Sequence, residues 1–184
     1  MAAWVMGQDP ESADFHQALL TMLDDPEAIV RWNAALALVR FGDPAGEPEL
    51  RFMLRPYSLR APLAGTLTFR LKEQDAVSAG TLVARIKQGD GVTAEVRSPL
   101  AGRLAKRIAR DDAPVAAGEE IASLAPGWEQ AWEALRALYL VGTPADLEDI
   151  DRYASGIAEA PDRVRQQAVL AAQAIRVRTA ASGK

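Results

Sequence analysis

From Ser12 to Leu54 the apolar residues recur every three or four positions. Phe15, Leu19, Leu20, Met22 and Leu23 form one stripe, and Ile29, Val30, Ala34, Leu36, Ala37, Leu38 and Phe41 form a second. That spacing predicts two short helices, parted at Asp24-Asp25-Pro26, with the second ended by Gly42-Asp43-Pro44. A third helical pattern, Glu47 to Leu54, stops before Pro56. Between Leu59 and Pro126 the period changes: runs such as Thr66 to Leu71 and Val92 to Val96 alternate or nearly so, and Gly and Pro punctuate them. This predicts strands of about five residues. After Gly127 the helical period returns, with Trp128, Trp132, Leu135, Leu138 and Tyr139 on one helix. Leu147, Ile150 and Tyr153 mark the next, and Val164, Ala168, Ala171 and Ile175 the last.

Both textures repeat themselves. Trp32 to Ala45 lines up with Trp132 to Ala145 at an offset of 100, and the run from Asp25 has a counterpart from Ala160 that shares Pro, then Val-Arg, then small residues. Helix pairs of this kind bury a face only by stacking on the next pair. In the β segment, Arg60-Ala-Pro-Leu-Ala-Gly-Thr-Leu67 returns as Arg97-Ser-Pro-Leu-Ala-Gly-Arg-Leu104. Asp75-Ala-Val-Ser-Ala-Gly-Thr-Leu-Val83 is echoed by Ala113-Pro-Val-Ala-Ala-Gly-Glu-Glu-Ile121, the acidic residue moving to Asp112. Pro62 and Pro99 stand before turns, and Gly65, Gly80, Gly102 and Gly118 allow bends that a β-carbon would hinder.

The helical flanks resemble HEAT-type repeats in the P-x-x-x-V-R-x-x-A-A pattern at Pro26 to Ala35, and the β segment resembles the biotinyl/lipoyl domain, whose two halves each carry A-P-x-x-G-x-L and D-x-V-x-x-G-x-x-L. The resemblance implies an α+β chain: a short HEAT-like α-solenoid with an inserted biotinyl/lipoyl-like β barrel-sandwich. HEAT-like helices would occupy 1–56 and 127–178, the β domain 57–126, and a disordered tail 179–184. Because Glu47 to Leu54 looks like the first half of a repeat and Trp128 to Val141 like the second, the β segment interrupts one repeat. Its ends must then lie close together.

The family's chemistry depends on a lysine at the tip of the hairpin joining the halves, where an amide-linked cofactor becomes a swinging arm. In this sequence the family spacing puts that position at Asp90 or Gly91, and neither is lysine. Gln88-Gly89-Asp90-Gly91 reads as a tight turn. Lys87 is the one displaced candidate acceptor, about three residues from the tip and on the strand. The expectation is a β scaffold without a bound cofactor.

Composition narrows the function classes. The chain has 184 residues, no cysteine and a net charge of −4. It therefore has no thiolate nucleophile and no Cys-containing zinc site, and it lacks the basic balance that nucleic-acid backbone binding normally needs. No segment reads as a signal or a membrane span, which fits a soluble, cytoplasmic protein, although Ala2 to Gln8 resembles the tail of a helix more than a beginning.

Gly89 to Ala94 matches a dinucleotide-loop pattern in letters only, because a strand follows it where a helix is needed. His16 is the sole histidine and has no metal-binding or triad context. The carboxylates of Asp146 to Asp151 read as the solvated face of a helix, with Leu147 and Ile150 inward, and the basic run Arg103 to Arg110 as a charged strand and turn that could meet an acidic partner.

The expectation is a non-catalytic protein-interaction or scaffold module with no metal, no nucleic acid and no membrane, whose partner is a protein and for which a homo-oligomer is compatible. Its expected contact elements are Gln88, Gly89, Asp90 and Gly91 at the hairpin tip and the helix faces around Arg31 and Arg165. The alternatives are a biotin or lipoate carrier modified at Lys87 and an adaptor of a membrane-fusion or export assembly.

Overall fold

A computed structural model describes residues 2–89, 91–157 and 159–182. The chain is α+β and divides into two compact units, Met1–Arg55 with Trp128–Lys184, and Pro56–Gly127. Among the described residues no helix is long and apolar enough to cross a membrane.

The helical unit contains α1 (Ala2–Met6), α2 (Ala13–Met22), α3 (Ala28–Leu38), α4 (Glu47–Phe52), α5 (Trp128–Val141), α6 (Leu147–Asp151) and α7 (Asp162–Ser182). Short 3-10 turns at Pro44–Gly46 and Pro144–Asp146 lead into α4 and α6, each opened by proline, whose missing N–H is no loss at a first turn. Ser12 caps α2 by accepting a hydrogen bond from the Phe15 N–H at 3.3 Å. Helix α3 packs on α1, α2, α4 and α5, while α7 packs on α5 and α6. Most of the predicted inward stripes form the core here, with Leu19, Leu38, Leu50, Leu135, Leu138, Ile150 and Val164 fully buried, whereas Ile29 and Tyr139, counted on those stripes, are exposed. Residues 179–182, expected to be a disordered tail, continue α7 instead. Thr179 is the start of that extension, and its hydroxyl donates to the Ile175 carbonyl at 2.9 Å.

The β unit has eight strands: β1 (Tyr57–Arg60), β2 (Gly65–Phe69), β3 (Ala76–Val77), β4 (Leu82–Lys87), β5 (Thr93–Arg97), β6 (Gly102–Arg107), β7 (Pro114–Val115) and β8 (Glu120–Pro126). They form two antiparallel four-stranded sheets, ordered β1-β8-β6-β3 and β5-β4-β2-β7. Neither sheet closes on itself, so the expected barrel is here a pair of open sheets. One apolar core joins them, with Leu59, Val77, Leu104, Ile121 and Leu124 from one sheet and Leu67, Phe69, Val83, Ile86, Val96 and Val115 from the other. Each sheet takes two strands from each sequence half, and exchanging β1 to β4 for β5 to β8 converts one order into the other.

The doubled sequence is doubled again in the backbone. The Gly80 N–H donates to the Ser98 carbonyl at 2.7 Å, and its counterpart Gly118 to Ala61 at 2.8 Å. Gln74 donates to Leu104 and Asp112 to Leu67, both at 2.8 Å, and these two donors are the described non-glycine residues with positive φ, 76° and 55°. A β-carbon on Gly65 would meet the Lys87 carbonyl oxygen at 2.5 Å, and one on Gly102 would collide with that of Ala125. Glycine is thus required where the neighbouring strand comes closest. Strands β1 and β8, which begin and end the unit, pair at Tyr57 with Leu124, so the inserted segment starts and finishes in one place.

Candidate functional site

The hairpin tip joins β4 to β5. Lys87 is the last residue of β4, paired with Thr66 on one side and Thr93 on the other. The Gln88 N–H donates to the Val92 carbonyl at 2.8 Å and the Gly91 N–H to the Gln88 carbonyl at 3.0 Å, with Gly91 at φ 93°. That is the bonding of a three-residue hairpin loop closed by a left-handed glycine. Gly89 is part of this loop; Asp90 lies outside the described residues. Behind the tip, Glu95 accepts from Arg85 at 2.9 Å and Arg97 at 2.6 Å. These guanidinium bonds, Arg85's first, hold the Glu95 carboxyl below its usual range.

Arg31 and Arg165 stand in the first turns of α3 and α7, on separate helices, and each folds back on its own entry loop. Arg31 donates to the carbonyls of Asp25 at 2.7 Å and Pro26 at 3.0 Å and pairs with Glu49 at 3.1 Å. Arg165 donates to the Ala160 carbonyl at 3.2 Å. His16 Nε2 lies 2.6 Å from Asp43, whose other oxygen accepts from the Ala45 N–H at 2.8 Å, so the pair ties α2 to the turn after α3. Among the described residues no three His, Asp or Glu side chains gather as a metal-holding group.

The acidic run departs from its expected solvated role. Asp146 is fully buried and Asp149 nearly so, while Ile150 is inward as expected and Leu147 is half-buried. Asp146 accepts from Arg51 Nε at 2.8 Å and from the Thr143 N–H at 2.7 Å. Arg51 also bonds Glu47, one turn earlier on α4. Asp149 is matched by Arg55 at 2.7 Å. Burial, and then the hydrogen bond with Asp146, pushes the Glu47 carboxyl above its ordinary range, while Arg51 pulls the other way. Two carboxylates flanking one guanidinium make a closed network that fastens the turn before α6 to α4. Tyr153 reinforces it by donating to the Leu54 carbonyl at 2.8 Å, and burial pushes its phenol up to about 12.

A concavity of the helical unit lies elsewhere. A groove of about 650 Å³ runs across α1, α3, α5 and α7, lined among others by Trp4, Leu36, Arg40, Arg136, Leu140 and Leu170. Trp4 is 62% and Leu140 60% exposed, and both are large apolar side chains. The Arg136 guanidinium sits 4.7 Å from the Trp132 ring, a cation–π contact that holds it at the groove wall. Periodicity reached only part of this site, because Leu36 stands on a predicted stripe whereas Trp4, Leu140 and Leu170 are apolar residues left off the stripes. The usable signal was that surplus.

No protein-family model matches the chain, and no curated protein matches it. Among solved structures it is similar to a single-chain, multi-domain long-chain acyl-CoA carboxylase, with 20% identity over 54% of this chain and 9% of that one, at a TM-score of 0.37.

Proposed function

We propose that this chain is a non-catalytic protein-interaction module in which a short HEAT-like helical array carries an unmodified biotinyl/lipoyl-like β domain. The groove across α1, α3, α5 and α7 is the observation that carries this reading. It offers an exposed tryptophan, two exposed leucines and arginine at its wall. Trp and Arg are the residue types on which binding energy concentrates when a partner excludes water from them.

The stacking of α3 on α2, α4 and α5, and of α7 on α5 and α6, supports the repeat reading. The repeated backbone bonds of the two β halves support the biotinyl/lipoyl-like reading. In this proposal the hairpin is a structural turn: the lysine nearest its tip is part of a three-stranded ladder, and the tip itself is glycine-rich.

The test is affinity capture from the source cell with the wild-type chain and a Leu140→Glu variant of equal helicity. The expected result is a partner retained by the first and lost, by about tenfold or more, by the second. A partner held equally by both, or released by changes at the hairpin tip alone, overturns the groove as the working surface.

A further inference from the structure

Helix α7 is apolar on two sides. Val164, Ala168, Ala171, Ala172 and Ile175 face the interior, and they account for one stripe of the helix. On the opposite side lie Val169 and Leu170, each 50% exposed, and Val177, 63% exposed, with Gln173, Arg176 and Ala180 between and beyond them. A shallow groove of about 490 Å³ runs along one flank of this ridge, past Ala154, Ala172 and Ala180, where small side chains leave room.

The order of residues on the ridge is self-complementary. Gln173 lies at its centre, with Leu170 three residues before and Val177 four residues after, both on one flank at 100° per residue. Val169 and Arg176 mirror them on the other flank. A two-fold axis through Gln173, perpendicular to the helix, reverses its direction and keeps each flank on its own side. It would set Val177 against the partner's Leu170, and Val169 against the aliphatic stem of the partner's Arg176, each pair matched in height to within about one residue, 1.5 Å.

The two Gln173 amides would meet on the axis and bond each other, a polar contact of the kind that fixes the register of paired helices. Charge agrees as well. Arg176 is neutralised within its own chain by Asp151 at 2.7 Å, so no uncompensated charge enters the contact, and the antiparallel helix dipoles attract.

The geometry points to a second copy of this chain as the occupant of the outer face of α7, in an isologous antiparallel pair. Closed two-fold contact requires a patch that fits itself, and this one does. A single helix ridge stands at the small end of specific interfaces, below about 1,200 Å² in total, so the dimer is a reversible one. This inference shares Leu170 with the groove across α1, α3, α5 and α7 but rests on Gln173 and Val177, which do not line that groove.

The test uses the full chain, which contains no cysteine. Sedimentation equilibrium is expected to give a concentration-dependent monomer–dimer equilibrium, weakened about tenfold or more by Val177→Glu. Because Val177 is solvent-exposed, that variant should keep its circular dichroism. In a second experiment, Gln173→Cys under mild oxidation is expected to form a disulfide dimer readily, and Leu140→Cys, in the other groove, to stay monomeric. A wild-type chain that remains monomeric throughout, a dimer indifferent to Val177→Glu but broken by Leu140→Glu, or equal cross-linking of the two cysteine variants overturns the inference.

Discussion

The two β halves hold the same backbone bonds at matching positions, whereas the helical segments at the offset of 100 hold matching places with different partners. Leu50 and Ile150 are both fully buried, as the repeat demands. Glu49 and Asp149, one residue earlier, are both acidic, yet Glu49 is paired by Arg31 from α3 and Asp149 by Arg55, three residues past α4. Gly46 presses against Ala35, where a β-carbon would come within 2.6 Å of the Ala35 Cα, while its counterpart Asp146 is the buried carboxylate of the ion network. Trp32 is buried with its indole N–H unpaired among the described residues, whereas Trp132 has Arg136 and Arg163 at 4.7 and 5.5 Å from its ring. A sheet repeat is enforced by the backbone, which tolerates few substitutes. A helical repeat is enforced by side-chain packing, which has many solutions.

Breaking the helical side of that contrast should have the largest effect. Arg51→Ala would leave Glu47 and Asp146 facing each other without their cation, and removing one partner from such a buried set costs about 3–5 kcal/mol. Urea denaturation reads this as a lower midpoint. The β side is tested by symmetry: Gly65→Ala and Gly102→Ala should each lose about 1–3 kcal/mol through the collision with a neighbouring carbonyl. Gly89→Ala, where a β-carbon meets nothing within 4 Å, should stay within about 0.5 kcal/mol of the parent. Unequal losses at Gly65 and Gly102 would show that the two halves are not mechanically equivalent.

A smaller effect is expected from Tyr153→Phe, which leaves the Leu54 carbonyl without its donor, about 1–2 kcal/mol. It also carries a pH signature. The folded phenol titrates at about 12 against an ordinary value of 10.0, so the native state keeps its proton where the unfolded chain releases it. Stability should therefore fall as pH rises from about 10 toward 12, and the Phe variant should lose that slope. An unchanged slope would assign the alkaline loss to another group.

The same contrast explains what was legible in the sequence. The β turns could be placed because their backbone geometry demands glycine at fixed offsets, as at 65 and 102, whereas the positive φ of Gln74 and Asp112 carried no such mark. Helix positions followed from the 3.6-residue period, and the inward stripes from the same count. The buried carboxylates were not legible. Aspartate normally reads as surface, and the arginines that make burial tolerable, Arg51 for Asp146 and Arg55 for Asp149, stand 95 and 94 residues away across the inserted β unit. The groove was hidden for the complementary reason, since Trp4, Leu140 and Leu170 are apolar residues that do not join the core. The bond partners of Arg31 and Arg165 were equally invisible, because both arginines fold onto carbonyl groups of their own entry loops.

The central functional claim is that the β unit is a scaffold and its hairpin a structural turn with no prosthetic arm. Intact-mass spectrometry of the chain after co-expression with biotin and lipoate ligases tests it directly. The account predicts the unmodified mass, with Lys87 unchanged in the peptide map; a gain of one biotinyl or lipoyl group on Lys87 would contradict it.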